Sequence, residues 1–162
     1  MITNFQDRET KERALRDVHK MLVYSYMGIA GGFLYSPLEL LSKESTEWHT
    51  GMENGKLRCV IITKTTDFGE KIILCGCDGT RRGKMELMRY LINCVNSKDK
   101  KYYCEASGAI EHWLQRHGVF ALSNERAREV LRKDIEYLMD DGIHYVRKIN
   151  GVFKEKAIYG NI

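Results

Sequence analysis

A basic segment containing two glycines, Asp78 to Lys84, has the residue types of an anion-binding loop. It follows a β-branched run over 71–77 and leads into an amphipathic helix predicted over about 84–96. Where a strand delivers a loop onto a helix, free backbone N–H groups and the positive end of the helix dipole converge. The segment therefore predicts a phosphate site, whose candidate residues are Thr80, Arg81, Arg82, Gly83 and Lys84.

This basic segment does not have the Walker phosphate-loop pattern. Met85 stands where that pattern requires Ser or Thr after Gly83-Lys84, and the spacing of the glycines also differs. The alternative interpretation is a solvated basic loop that holds no ligand, because many surface loops carry cationic side chains in contact with water alone.

The cysteines do not form a regular framework, since the five lie at positions 59, 75, 77, 94 and 104. Cys75 and Cys77 have C-x-C rather than C-x-x-C spacing and the total is odd, so we predict reduced thiols and no metal ligand. A zinc site that gathers this pair with other cysteines is the alternative. His112 and His117 lie five positions apart, without the i, i+4 geometry of a metal pair.

Hydrophobic periodicity and turn residues predict the elements that position these candidates. One hairpin turns at Asp67-Phe68-Gly69 and another at Asn150-Gly151. The sequence does not decide between a short strand and a loop around 47–50. Met85 begins the stripe that the helix over 84–96 is expected to bury. In chain order we predict helices over 5–27, 37–41, 84–96, 107–117 and from 123 or 124 to 140, and strands over 57–65, 71–77, 102–106, 119–122, 144–149 and 152–159.

Length and composition are typical of one globular domain over 1–162, with 43% hydrophobic and 30% charged residues. The longest apolar runs are far shorter than the ~20 residues of a membrane helix. The first residues lack a signal-peptide pattern, so we expect a cytoplasmic protein. The net charge of +4 permits an anionic ligand, whereas the interspersed charges of the C-terminal third do not favour nucleic-acid binding.

The order of these parts resembles the GNAT superfamily of acyl-coenzyme A-dependent N-acyltransferases. Arg82-Gly83-Lys84 matches the opening of the family's coenzyme-binding loop, often written Arg-Gly-Lys-Gly-Ile-Gly. The sequence then departs from this motif, because Met85 and Leu87 stand where the family prefers small residues. The likeness covers residues 57–162 well and residues 1–56, the N-terminal helical part, loosely.

The resemblance implies the fold class α/β (α+β). We expect a GNAT-like mixed, largely antiparallel twisted sheet that is flanked by helices on both faces. The strands over 71–77 and 102–106 should be parallel neighbours, joined by the helix over 84–96 in a right-handed crossover.

The resemblance also implies acetyl-coenzyme A, or coenzyme A, as the cofactor. The pyrophosphate would lie on the segment from Thr80 to Lys84, where the family uses backbone N–H groups to hold it. The pantetheine would pair with the backbone of the preceding strand. The residues concerned there are Leu74, Cys75, Gly76 and Cys77.

A catalytic centre is implied at the end of the strand over 102–106. Glu105 is the candidate general base for the attacking amine, with a surface carboxylate or a helix cap as the alternative. The family's acidic Tyr falls on Leu114, so Tyr103 or a water would replace it as the proton donor. The same alignment puts Ser107 at the position of the family's Asn, and we include it among the catalytic candidates.

These implied features predict an N-acyltransferase in which an amine attacks the thioester directly within one ternary complex. The acceptor would be a small-molecule or protein amine. The alternative is a catalytically inactive GNAT-like scaffold from a phage or another virus, with virion proteins or a second copy of the chain as partners and the host cytoplasm or the virion as its location. The bulky residues Met85, Leu87 and Leu114 favour this alternative.

Overall fold

In the computed structural model, the described residues are 2–27, 33, 35–43, 45–106, 109–140 and 157–161. Over these residues the chain alternates between strands and helices. The strands are β1 (Ile2–Phe5), β2 (Thr46–Glu53), β3 (Lys56–Thr65), β4 (Glu70–Cys77), β5 (Tyr102–Ala106), β6 (Phe120–Ala121) and β7 (Ala157–Gly160). The helices are α1 (Arg8–Ser25), α2 (Pro37–Leu41), α3 (Arg81–Val95), α4 (Ala109–Arg116) and α5 (Asn124–Asp140).

The described strands form a mixed sheet in the order β1-β2-β3-β4-β5-β7-β6. The pairs β1–β2, β2–β3, β5–β7 and β6–β7 are antiparallel. β4 and β5 pair in parallel, with Glu70 opposite Tyr102 and Lys71 opposite Tyr103. α3 connects these two parallel strands, as a parallel pair requires. The predicted fold class and the predicted parallel pairing are therefore confirmed.

The chain divides into two compact units, which are described in turn. The first unit comprises Met1–Lys64 and Ile72–Asn93, and the second comprises Thr65–Lys71 and Cys94–Ile162. Each unit buries apolar side chains of its own. The expectation of a single domain stays a prediction.

The N-terminal helix begins later than predicted, because the first residues form a strand instead. Ile2–Phe5 pair antiparallel with β2, and Phe5 lies opposite Trp48. Asp7 then caps α1, since its Oδ2 accepts the Thr10 N–H at 2.8 Å. The buried apolar side chains of α1 are Val18, Met21 and Leu22.

The helix predicted over 37–41 and the strand predicted over 57–65 are confirmed as α2 and β3. Ser36 caps α2, and Pro37 occupies the first helical turn. Residues 47–50, for which the sequence did not decide between strand and loop, belong to β2, which extends beyond that range. Successive residues at the centre of β3 are fully buried, so this strand is covered on both faces. These residues are Cys59, Val60, Ile61 and Ile62.

Two apolar clusters lie on opposite faces of β5 in the second unit, because neighbouring residues of a strand point to opposite sides. The cluster that includes α5 consists of Tyr103, Ile158, Val130 and Leu131. The cluster that includes α4 consists of Ala106, Tyr159, Leu114 and Val119. The packing of each helix is therefore fixed by alternate residues of the same strands.

Part of the predicted C-terminal hairpin lies outside the described residues, namely the segment over 144–149, the turn at Asn150-Gly151 and residues 152–156. Within the described residues, β7 pairs antiparallel with both β5 and β6. Ser123 caps α5, since its Oγ accepts the Arg126 N–H at 3.2 Å. None of the described helices is long and apolar enough to cross a membrane.

Candidate active site

The predicted phosphate loop is shorter than expected, because α3 already begins at Arg81. Asp78 Oδ1 accepts the N–H of Thr80 at 2.9 Å and its hydroxyl at 2.6 Å. Thr80 in turn caps the helix, since its Oγ1 accepts the Gly83 N–H at 3.1 Å and its carbonyl accepts the Lys84 N–H at 3.0 Å. The prediction of a loop through Lys84 was therefore wrong, because Asp78 and Thr80 start the helix early.

The first turn of α3 combines backbone donors with cationic side chains. The N–H groups of Arg81 and Arg82 belong to the first turn, where a helix has no acceptor of its own for them. The side chains of Arg81, Lys84 and Arg89 border a surface depression of about 540 Å³. Apolar side chains form the rest of its lining, namely Met85, Met88 and Ile92. This turn has the donors and the charge to bind a phosphate group.

Met85 does not belong to the buried stripe that its spacing predicted. Its side chain is 52% exposed, whereas Gly83 and Cys94 are buried. Because α3 starts at Arg81 and packs through Gly83, the helix is rotated so that Met85 lies towards solvent. Exposed methionine beside cationic side chains offers a soft apolar surface to a ligand.

Gly83 is required by packing. A Cβ at this position would meet the Asp78 carboxylate and would lie 2.7 Å from the Arg58 carbonyl oxygen, closer than real Cβ contacts. The first turn of α3 therefore lies directly against the beginning of β3. The Arg-Gly-Lys motif thus has a structural reason for its glycine, in addition to the backbone approach that a phosphate needs.

An ion-pair network that the sequence analysis missed surrounds this turn. Arg58 Nη1 donates to Asp78 Oδ2 at 2.8 Å, and Arg58 Nε lies 3.7 Å from Glu53 Oε2. Burial alone would raise the pKa of Asp78, but hydrogen bonds from Arg58 and Thr80 hold it below its usual value. Arg82 pairs with Glu53, although its side chain is largely exposed. An anionic ligand that binds Arg82 would have to compete with Glu53.

The β4 backbone assigned to pantetheine is already hydrogen bonded to the end of α1. Ser25 Oγ accepts the Cys77 N–H at 3.2 Å and lies 3.2 Å from the Cys77 carbonyl oxygen, to which it donates. The Cys75 N–H points to the hydroxyl of Tyr26 at 3.5 Å, a long contact. Leu74 and Gly76 are buried. The sequence pattern predicted only that Ser25 and Tyr26 belong to the helix over 5–27.

Glu105 lies on β5 in the second unit, opposite Ile158 of β7. Its Oε1 is 3.5 Å from Lys71 Nζ, with side-chain exposures of 21% for Glu105 and 7% for Lys71. Glu105 is thus a half-buried carboxylate in an ion pair rather than a free surface group. Alternation along β5 puts it on the same face as Tyr103 and opposite to the α4 cluster.

Tyr103 is buried, with 3% of its surface exposed. Its hydroxyl lies 2.9 Å from Thr66 Oγ1, and its ring meets the edge of Phe68 with centroids 5.2 Å apart. Ser107, the third catalytic candidate, lies outside the described residues. Leu114, at the position of the family's acid, is buried against Tyr159 and its neighbours.

No disulfide joins the five cysteines. Burial raises the pKa of Cys59 and of Cys75 to about 11. These two thiols are therefore protonated near neutral pH. Among the described residues, no three His, Cys, Asp or Glu side chains lie close enough together to hold a metal ion. His117 stacks on Trp113 with centroids 4.3 Å apart, and its Nδ1 lies 2.9 Å from the Trp113 carbonyl oxygen.

Several solved structures have a fold similar to that of this chain. An acyl-CoA N-acyltransferase from Pseudomonas aeruginosa is 9% identical, with a TM-score of 0.59 over 100% of this chain and 99% of that chain. An aminoglycoside 6'-acetyltransferase type Ii is 15% identical, with a TM-score of 0.57 over 76% and 84%. The ribosomal-protein-S18-alanine N-acetyltransferase from Escherichia coli is 16% identical, with a TM-score of 0.54 over 76% and 80%.

A further similar structure contains the coenzyme. The N-acetylglutamate synthase from Neisseria gonorrhoeae, complexed with coenzyme A and N-acetyl-glutamate, is 15% identical, with a TM-score of 0.58 over 99% of this chain and 35% of that chain. No protein-family model and no curated protein matches the sequence. At these identities the likeness concerns the fold. The chain has the GNAT fold of the acyl-CoA N-acyltransferases, as the resemblance implied.

Proposed function

We propose that the protein is an acyl-coenzyme A-dependent N-acyltransferase, and that it transfers an acetyl group to an amine. The observation that carries this proposal is the first turn of α3, where Arg82-Gly83-Lys84 begins a helix directly after β4 on a GNAT fold. An amine acceptor, either a small molecule or a protein, is supported by the structural neighbours named for aminoglycosides and for an alanine of ribosomal protein S18.

The residues of this turn fit the pyrophosphate of coenzyme A. The N–H groups of Arg81 and Arg82 would bind phosphate oxygens at the positive end of the α3 dipole. Lys84 and the two arginine side chains would add charge-assisted bonds. The pantetheine would pair with the backbone from Leu74 to Cys77. When bound, acyl-coenzyme A supplies the acyl group as a thioester.

Glu105 would serve as the general base. An amine attacks only in its neutral form, yet a primary amine of pKa ~10.4 is mostly protonated near neutral pH. The carboxylate of Glu105 has the right chemistry to take that proton, and its contact with Lys71 limits the orientations it adopts. Removal of the proton leaves the nitrogen lone pair free to form the amide bond.

Proton delivery to the departing thiolate would come from water rather than from Tyr103. The Tyr103 hydroxyl contacts Thr66 and the ring lies within an apolar cluster, so the side chain would have to leave both to act as an acid. A thiolate needs little help to depart once its charge is stabilised.

The test measures the free thiol of coenzyme A that is released from acetyl-coenzyme A in the presence of small amines or of peptides with a free amino terminus. We expect release that depends on both the protein and an amine. Binding of the coenzyme without release for any amine would contradict the catalytic part and favour a scaffold. Reactions without amine provide the background from the protein's own cysteines.

A further inference from the structure

Ser25 and Cys77 form reciprocal hydrogen bonds. These bonds occupy the backbone groups of Cys77 to which the proposed function assigns the pantetheine. Ser25 Oγ accepts the Cys77 N–H and donates to the Cys77 carbonyl oxygen, each at 3.2 Å. A backbone N–H supplies one proton for hydrogen bonding. An acceptor on a ligand therefore gains the Cys77 N–H only when Ser25 gives it up.

Gly76 lets the end of α1 lie directly on β4. A Cβ at Gly76 would lie 2.9 Å from Ser25 Cβ and even closer to its hydroxyl oxygen, with Leu22 at 3.6 Å. Any larger residue at this position would hold α1 away from the strand. The glycine of the Cys75-Gly76-Cys77 sequence thus allows Ser25 to pack closely against β4.

Tyr26 contacts the β4 backbone two residues before Cys77, at Cys75. Its hydroxyl lies 3.5 Å from the Cys75 N–H, and burial raises the pKa of this phenol, which therefore stays protonated. Tyr26 is also the C-cap of the helix, and its N–H donates to the Leu22 carbonyl oxygen at 3.0 Å. The two residues that contact the β4 backbone are therefore the last residue of α1 and its C-cap.

We infer that the end of α1 is a built-in competitor of the coenzyme. Ser25 and Tyr26 satisfy the Cys77 and Cys75 N–H groups when no ligand is bound, and acyl-coenzyme A binds by displacing them. This inference rests on the proposed function, because it takes pantetheine as the incoming acceptor. The buried stripe of Val18, Met21 and Leu22 anchors the preceding turns, so only the last turn of α1 has to shift.

The competition has a measurable consequence for affinity. A hydrogen bond of this kind contributes a net free energy of roughly 0.5–1.5 kcal/mol, which corresponds to about twofold to tenfold in a binding constant. Ser25→Ala removes the competing hydroxyl, and alanine preserves the helix. Ser25→Ala should therefore bind coenzyme A about twofold to tenfold more tightly, and Ser25→Ala/Tyr26→Phe should bind it more tightly still.

Isothermal titration with coenzyme A tests this inference on the wild type, the two variants and Ser42→Ala. Ser42 is the matched control, because its exposed Oγ also donates to a backbone carbonyl at a helix end, that of Glu39 at 2.9 Å. Tighter binding by the Ser25 variants alone supports the inference, as does binding by them when the wild type shows none. Equal or weaker binding by the variants contradicts it.

Amide hydrogen exchange without ligand separates this inference from the proposed function. We expect the Cys77 amide to exchange faster in Ser25→Ala than in the wild type and in Ser42→Ala, and unchanged exchange would contradict the inference. Failure of every protein to bind coenzyme A would contradict the proposed function and the competition together. Faster exchange in that case would show that the contact between α1 and β4 exists without the competition.

Discussion

Gly83 lies so close to the carboxylate of Asp78 that a Cβ on Gly83 would overlap it. This close approach packs the first turn of α3 against the residue that follows β4, and the Arg58 carbonyl oxygen of β3 also lies within contact distance. The candidate phosphate site therefore depends on a steric fit as well as on charge. These three residues all belong to the first unit.

Gly83→Ala should destabilise the protein by about 1–3 kcal/mol, because the new methyl group has to displace Asp78 or the backbone of β3. Urea unfolding followed by circular dichroism measures this change. Lys84→Ala is the control in the same turn, since its side chain is exposed and alanine favours the helix. Equal stability of Gly83→Ala and the wild type would mean that the turn does not pack on β3 in this way.

Asp78→Asn should make the free energy of unfolding less dependent on pH in the acid range. The pKa of Asp78 is held below 3.8 in the folded protein, so its ionised form stabilises the fold above that pH. This stabilisation is lost as the pH falls through 3.8 and on through the lower folded pKa. We expect wild-type stability to fall over this range more steeply than that of Asp78→Asn, as measured by urea unfolding at a series of pH values. Parallel curves would contradict a contribution from Asp78.

Glu53→Gln should tighten coenzyme A binding, because it releases Arg82 from its ion pair. Exposed pairs contribute up to about 1 kcal/mol, so the gain should be at most about fivefold and should shrink as salt is added. Titration calorimetry measures it. Glu129→Gln, which breaks the exposed pair with Arg126 in the second unit, is the control and should leave affinity unchanged. Weaker binding by Glu53→Gln would mean that Glu53 supports the ligand.

Glu105→Gln should lower turnover by ~10²-fold or more while leaving coenzyme affinity nearly unchanged. Glutamine keeps the shape of the side chain but removes the basic oxygen and the charge that faces Lys71. Steady-state thiol release and titration calorimetry give the two readouts. Full turnover in this variant would dismiss Glu105 as the base. Loss of coenzyme binding instead would assign the ion pair with Lys71 a structural role.

The sequence was sufficient to predict elements whose signal is local. The β-branched run of β3, the Pro37 helix start and the parallel neighbours β4 and β5 were all predicted, because periodicity, turn residues and connection order determine them. The strand β1 was missed, since a short edge strand next to a strong helical pattern acquires its structure from its partner β2. Met85 was misplaced because helix spacing does not reveal how far a helix is rotated.

The candidate site was predicted only in part, for a similar reason. Arg82-Gly83-Lys84 carries a local motif, so the first turn of α3 was found. Glu53 and Ser25 are distant in sequence from the turn and the strand that they contact, and no local spacing marks them. Single-sequence patterns therefore mark a candidate ligand loop more readily than the distant side chains that contact it.

The most direct test of the account is titration calorimetry of acetyl-coenzyme A with the wild type and with Arg82→Glu. A charge-assisted phosphate bond contributes roughly 1.5–3 kcal/mol, so charge reversal in the first turn of α3 should weaken binding at least about tenfold, with the fold verified by circular dichroism. Arg126→Glu, on an exposed side chain of α5, is the matched control and should bind like the wild type. Equal affinity of Arg82→Glu and the wild type, or no binding by the wild type and by the Ser25 variants alike, would contradict the assignment of this turn to the coenzyme.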